Sequence, residues 1–217
     1  MSERRLSNRA RYNALAGAYE VLLRLASLGQ VDRLYRAIAD ALDPLPGGTL
    51  VEFGCGPATL TPYLVPKVGC AATIIGIDIA EKMIGRARRK AERLGWHNVR
   101  FERGDALDYA PASPLDAVVF CLSLSTMSDC DRCLEQASSM LRPGGQLLIL
   151  DSIPERSRPF ANLLIQLKAP LVGARPTARP LEFASARLEG ARVRRLFGGV
   201  YSLLSARKPR TTLRGAW

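Results

Sequence analysis

The chain has 217 residues, 47% of them hydrophobic, which is enough apolar material for one well-buried domain and too little length for two. No run approaches the roughly 18 consecutive apolar residues of a membrane span, and the N-terminal MSERRLSNRARY lacks the apolar core of a signal peptide, so a cytoplasmic location is expected. The formal charge of +11 is uneven: 13 of the 31 Lys and Arg residues, but only 4 of the 20 Asp and Glu residues, lie after residue 150.

A neutral middle with a basic last third suits an anionic partner: a phospholipid surface, a phosphorylated substrate or a nucleic acid. An Arg-rich solvated surface accounts for it equally well. A peripheral position on the inner membrane face is compatible with it.

From the N-terminus, AYEVLLRLASLGQVDRLYRAIADAL carries helical periodicity, interrupted near Gly29 and ended by DPLPGG. Apolar β-rich runs then alternate with amphipathic ones. TLVEFGC, TIIGIDI, VRFERGD, LDAVVFCL and QLLILDS read as strands; TPYLVPKV, KMIGRARRKAERLG and DRCLEQASSMLRPGG read as helical segments between them. Such a series predicts a parallel sheet covered on both faces. Pro143-Gly144-Gly145 is expected to stop the last of these helices and turn the chain into the fifth strand. Beyond it, RPFANLLIQLKAPLVGA is an apolar helical stretch stopped by prolines, and ARVRRLFGGVYSLLSARK has two β-like runs about Gly-Gly, a hairpin signature.

Chemistry concentrates at the first strand-to-helix turn, VEFGCGPATL. Glycine at 54 and 56 allows positive φ and close backbone approach, and the helix that follows presents free N–H groups, so the turn can seat a nucleotide-type cofactor. A dinucleotide fingerprint would continue to a third glycine, where Thr59 stands instead, and no Walker lysine follows. Asp78 ends the second strand, where it can accept hydrogen bonds from both ribose hydroxyls. A further acid, Asp105 in Gly104-Asp105-Ala106, ends the third and can hold an adenine amino group.

The five cysteines (Cys55, Cys70, Cys121, Cys130, Cys133) have no scaffold spacing and read as reduced thiols. Cys130 and Cys133 form a CxxC, but with no second pair and a single histidine, His97, a zinc site lacks ligands, and no metal is expected.

In order and spacing, VEFGCGPATLTPYL, IIGIDIAEKMIGRAR, VRFERGDALDY, LDAVVFCLSLSTMSD and LRPGGQLLILDS resemble the successive motifs of class I S-adenosylmethionine-dependent methyltransferases. The resemblance covers residues 50 to 152. It implies a Rossmann-like α/β fold with helices on both faces of a seven-stranded, mostly parallel sheet whose last strand is antiparallel, a strand the hairpin at 191–207 would supply. It also implies S-adenosyl-L-methionine as cofactor and S-adenosyl-L-homocysteine as product.

Carried over by position, Glu52, Gly54 and Gly56 would shape the methionine end of the site. Asp78 would hold the ribose, Ile79 and Met83 would flank the adenine, and Asp105 with Ala106 would meet its edge. Cys121 would face the methyl group, while Cys55, Thr59 and Gly104 complete the set. Each has a plainer reading: Met83 as helix core, Cys121 as a small buried residue, Glu52 as a turn cap.

The sulfonium donor is already activated, so holding a nucleophile in line and excluding water is the main task, and no dedicated base is required. The stretch after the fourth strand offers Ser123, Ser125, Thr126 and Asp129; of these Ser123 and Asp129, together with Tyr19, are the candidates for a catalytic role. The NPPY-type motif of methyltransferases acting on nucleic-acid bases is absent, so nucleic acid is not expected as a partner.

Residues 11–42 resemble the opening helices of the quinone-biosynthesis C-methyltransferases and the bacterial phosphatidylethanolamine N-methyltransferases, with Tyr12 and Tyr19 as the tyrosines that close over the cofactor. The expected layout is a lid of helices over residues 1–46 and a core over 47–217, with 153–180 as an acceptor-pocket insert, all one structural domain. The insert is apolar with basic flanks, Arg156, Arg158, Lys168 and Arg175, which fits a small lipophilic acceptor. Alternatives are a phospholipid-headgroup N-methyltransferase at the membrane surface, a nicotinamide-dependent oxidoreductase and a non-catalytic cofactor-binding module.

Overall fold

A computed structural model describes residues 3–27 and 29–210. Three helices come first: α1 (Glu3–Leu15), α2 (Tyr19–Ala26) and α3 (Val31–Asp40). The alternating series follows as β1 (Thr49–Phe53), α4 (Thr61–Val68), β2 (Thr73–Asp78), α5 (Glu81–Leu94), β3 (Val99–Arg103), β4 (Leu115–Cys121), α6 (Cys130–Met140) and β5 (Leu141–Asp151). Then come α7 (Pro159–Val172), α8 (Arg179–Arg187), β6 (Glu189–Leu196) and β7 (Tyr201–Arg207).

All seven strands join one sheet in the order β3-β2-β1-β4-β5-β7-β6. The strands from β3 to β5 are parallel, and β7 runs antiparallel between β5 and β6. The strand order reverses beside β1, so the loops after β1 and β4 diverge there and open a crevice at the carboxyl ends of the strands, where open α/β sheets bind ligands.

Alternation along the strands distributes the core to the two faces. Val51 and Phe53 of β1 pack with Val118, Phe120, Leu147 and Ile149 on the α6/α8 face. Leu50 packs with Ile74, Val119 and Leu148 on the opposite face, against Leu34 and Ile38 of α3. Because α3 is built into this core, only α1 and α2 of the first 46 residues stand over the crevice. There Ala16, Tyr12 and Tyr19 pack on Ala80 and Met83 at the start of α5.

Local signals explain several boundaries. Asp129 caps α6 by accepting the Arg132 amide at 3.0 Å, and Gly95 ends α5 in the left-handed region at φ +65°. Pro143-Gly144-Gly145 corrects the sequence expectation. The helix already stops at Met140, and these residues form an irregularity inside β5, between the pairs Leu115↔Leu141 and Ala117↔Gln146. Leu141 is buried and ladder-paired, which starts the strand before the turn residues, and Gly144 at φ +76° absorbs the extra chain. Helix α8 went unanticipated; it opens on Pro180 and is tied to α6 by the Arg179–Asp131 ion pair at 2.8 Å.

Candidate active site

The glycine turn after β1 is held from behind and open in front. The amides of Gly54 and Cys55 both donate to Ile77 O, at 2.8 and 3.1 Å, pinning the turn to the end of β2. Gly54 has φ +72°, and a Cβ there would lie 2.5 Å from Ser123 Cβ; at Gly56, φ +54°, a Cβ would lie 3.7 Å from the Tyr19 ring. The Asp78 carboxylate completes the clamp, accepting the Gly56 amide on Oδ2 at 2.9 Å and the Ala80 amide on Oδ1 at 2.8 Å. Burial pushes Asp78 up to about 6, against the lowering effect of these N–H groups. The Ile79 amide adds a further lowering contact, and what is left of the carboxylate's acceptor capacity is available to a ligand hydroxyl.

Glu52 lies behind the turn, 2% exposed, and its Oε2 has no hydrogen-bond partner among the described residues. Burial, then the nearby Asp78 charge, pushes its carboxyl up to about 8. A buried carboxyl with an unmatched oxygen fits a ligand's ammonium group, and a turn from which side chains are excluded fits close approach of that ligand to the backbone. On these two observations the residues fit S-adenosylmethionine.

The cavity in front of the turn, about 80 Å³, is lined by Tyr12, Tyr19, Gly54, Gly56, Asp78, Ile79, Met83, Gly104, Asp105 and Ala106 of the residues expected from sequence. Glu52, Cys55, Thr59 and Cys121 are absent from its lining. Thr59 Oγ1 instead accepts the Tyr35 hydroxyl at 2.8 Å, and Cys55 and Cys121 are buried in the core of the α3 face, where burial holds both thiols well above their usual range.

Ser123 lines the cavity, but its hydroxyl donates to Phe53 O at 2.7 Å. Asp129 is occupied as the α6 cap and lies outside the lining.

Sequence reasoning missed Asn8, Ile77, Leu122, Met127 and Ser128, which also line the space. Asn8 stands one helical turn before Tyr12, so the i, i+4 spacing was available as a signal; its amide donates to Thr126 O at 2.6 Å, joining α1 to the loop after β4. Leu122 carried none. Its φ of +55° is a conformation a branched side chain rarely adopts, and the strain sits where β4 ends at the cavity.

A second cavity, about 480 Å³, adjoins the first. Its walls are mostly apolar, with Leu15, Leu22, Leu23 and Leu25 from α1 and α2 facing Ile165, Ala169, Leu171 and Val172 of α7. Tyr12, Tyr19, Leu122 and Thr126 line both spaces. The Tyr12 hydroxyl donates to Val172 O at 2.9 Å, fastening α1 to the end of α7.

Away from the crevice, burial pushes the Cys130 thiol up to about 12, which opposes thiolate chemistry at the CxxC. His97 is exposed in the loop before β3, at the other end of the sheet. Among the described residues, no group of three or more His, Cys, Asp or Glu could hold a metal ion, and no helix is long and apolar enough to cross a membrane.

Residues 45–169 match the methyltransferase domain family. The chain belongs to that family. It is an S-adenosylmethionine-dependent methyltransferase of the class I fold, and the oxidoreductase alternative is left without support.

It is 26% identical over 225 residues to the demethylmenaquinone methyltransferase of Desulfitobacterium hafniense, an alignment covering 92% of this chain and 88% of that one. It is 32% identical over 123 residues to nocamycin O-methyltransferase of Saccharothrix syringae, covering 56% of this chain but only 44% of that enzyme. Among solved structures, the N-methyltransferase NodS of Bradyrhizobium japonicum, in complex with S-adenosyl-L-homocysteine, superposes with a TM-score of 0.57 at 19% identity, covering 75% of this chain and 78% of that one.

Proposed function

We propose that this methyltransferase holds its cofactor in the smaller cavity and a small lipophilic acceptor in the larger one, with methyl transfer at the wall they share. The observation that carries this reading is that Tyr12, Tyr19, Leu122 and Thr126 line both spaces. The named substrates of the relatives point in two directions, a demethylmenaquinone and nocamycin.

S-adenosylmethionine, when bound, supplies a methyl group already activated on its sulfonium. The chain's own residues then bind, orient and exclude water. Gly54 and Gly56 admit the ligand to the backbone, Asp78 receives its ribose hydroxyls, and Met83, Ile79 and Ala106 its adenine. Helices α1 and α2 act as the lid proposed for residues 1–46, since the space beneath Tyr19 suits several waters rather than a nucleoside in the closed arrangement.

No base is assigned. Ser123 donates to Phe53 O, Thr126 to Ser123 O at 2.7 Å, and Ser125 to Asp151 at 2.9 Å, so these hydroxyls are committed to structure. Calorimetry with S-adenosylhomocysteine, followed by labelled methyl transfer into an organic-solvent extract, tests the reading. Cofactor binding without any labelled lipophilic product would overturn the acceptor assignment.

We further infer that the acceptor is drawn from an anionic lipid surface. The larger cavity's lining includes Leu22, Leu25 and Leu171, which are themselves exposed, and they continue into the exposed Phe160, Leu163 and Leu167 of α7. Arg24, Arg156 and Arg175 are exposed on the same segments.

A further inference from the structure

The inner end of the larger cavity holds a cation with no matched anion. Lys168 reaches inward from α7, and its Nζ lies 3.5 Å from the centroid of the Tyr201 ring at the start of β7. A cation over an aromatic face gains part of what it loses on leaving water, but an ammonium carries three N–H donors and a ring face does not satisfy them all. Among the described residues, Lys168 has no carboxylate within salt-bridge distance and no hydrogen-bond acceptor for Nζ.

The acid that could have served is already occupied. Asp151, buried at the end of β5, accepts the Ser125 amide at 2.9 Å, the Ser125 hydroxyl at 2.9 Å and the Ser152 amide at 2.7 Å. Its charge reaches Lys168 only through space, and burial nonetheless pulls the lysine down to about 8. Apart from Asp151 and Lys168 the lining of this cavity is uncharged, its polar members being Tyr12, Tyr19, Ser125, Thr126, Ser152 and Tyr201. The half-buried ammonium therefore opens on the cavity without a protein carboxylate of its own, and an anionic group entering there would pair with it.

We propose that Lys168 anchors an anionic oxygen of the acceptor, so that the larger cavity takes an amphipathic acid: an apolar body bearing a carboxylate, phenolate or enolate. This rests on the assignment of that cavity to the acceptor. The apolar walls receive the body, and the ammonium fixes which end enters first, which sets the register of the molecule against the wall shared with the cofactor cavity. Lys168 is here a specificity-determining residue; no proton transfer is assigned to it.

Two probe pairs test this, each an acid and its uncharged counterpart: decanoate with decanol, and a nitronaphthol with its methyl ether, whose phenolate is read directly by its visible absorption. At neutral pH the full-length protein should bind at least one acid about tenfold or more tightly than its counterpart, a difference of about 1.4 kcal/mol. Whichever pair shows the preference distinguishes a carboxylate from a phenolate or enolate. Lys168→Met should remove the preference while leaving affinity for the uncharged probe within about twofold, and Lys168→Arg should retain most of it.

Equal binding of acid and counterpart, an unchanged preference in Lys168→Met, or no binding of any probe overturns the proposal. S-adenosylhomocysteine titration of the same samples separates the two levels: its failure removes the cofactor reading, whereas normal cofactor binding without acid preference removes only the role of Lys168. Should Lys168→Met fail to fold, the ionisation of the bound nitronaphthol in the unaltered protein decides. A phenolate stabilised on binding supports the anchor, and an unshifted one overturns it.

Discussion

The Asp78 carboxylate accepts the Gly56 amide at 2.9 Å, so the acid at the tip of β2 and the glycine turn after β1 form one unit. The sequence suggests that Asp78 meets a ligand; the structure adds that it holds the turn against which the ligand would lie. Its loss therefore acts twice.

Asp78→Ala should weaken S-adenosylhomocysteine binding by more than tenfold and also lower stability, by ~1–3 kcal/mol, because the Gly56 and Ala80 amides lose their acceptor. Asp78→Asn retains one carbonyl oxygen and should fall between the two proteins in melting temperature. Unchanged affinity in Asp78→Ala, measured by calorimetry on folded protein, would remove Asp78 from the cofactor site.

The two glycines should respond differently. Alanine at 54 must place a Cβ 2.5 Å from that of Ser123, a contact with the loop after β4 that cannot be relieved by rotating a side chain, whereas alanine at 56 meets the Tyr19 ring at 3.7 Å. Both incur the cost of positive φ, ~1–2 kcal/mol. Gly56→Ala should stay folded and bind cofactor somewhat more weakly, while Gly54→Ala should lose both stability and binding. Equal melting temperatures for the two variants would contradict the packing argument.

Glu52 gives the free protein a pH dependence with a definite sign. Its carboxyl titrates near 8 in the fold against 4.5 when unperturbed, so between these values the folded state keeps a proton that the unfolded state has released. Its contribution is favourable at low pH and is lost as pH rises through that window toward 8. Glu52→Gln should flatten this part of the stability curve and raise the melting temperature at pH 7. If a ligand ammonium settles against Glu52, cofactor binding near neutral pH should also release a proton, visible as a dependence of the calorimetric enthalpy on buffer ionisation heat. No such dependence, together with an unaltered stability profile in Glu52→Gln, would mean that Glu52 is ionised already.

The centre of the sheet was legible because β1, β4 and β5 are buried on both faces and so appear as near-continuous apolar runs, as in LDAVVFCL and QLLILDS. The turn at Gly54 and Gly56 and the acids Asp78 and Asp105 were legible because their positions at strand ends follow from the same runs. What escaped depends on tertiary contact. The strained φ of Leu122 has no mark in its residue type. The same holds for the commitment of Thr59 to Tyr35, and the withdrawal of Cys121 into the core is set by which face of β4 packs on α3. The proline-glycine run at 143–145 was misplaced for a related reason: its turn character is real, but pairing of Leu141 with Leu115 brings the residues before it into the sheet.

Lys168 is the residue whose setting differs most from its sequence context. Grouped with Arg156, Arg158 and Arg175 as a basic flank of an apolar helix, it turns inward to Tyr201, and Arg158 is paired with Glu155 at 3.4 Å, which leaves the outer face of α7 more apolar than basic. Phe160 is 84% exposed, Leu167 66% and, on α2, Leu25 68%. Full burial of such side chains is worth roughly 1.5–3 kcal/mol each, against about 1 kcal/mol for a basic residue near an anionic surface. Apolar insertion should therefore dominate any membrane contact. Co-sedimentation with vesicles containing anionic lipid should show binding that weakens, without vanishing, as salt rises past about 0.1 M, where exposed charges are screened over ~10 Å. Leu25→Glu combined with Leu167→Glu should abolish it while leaving S-adenosylhomocysteine affinity intact, since neither residue lines the cofactor cavity. Protein that stays in the supernatant at low salt, or binding that the double substitution does not alter, would show that these helices face water or another protein and that the acceptor arrives from solution.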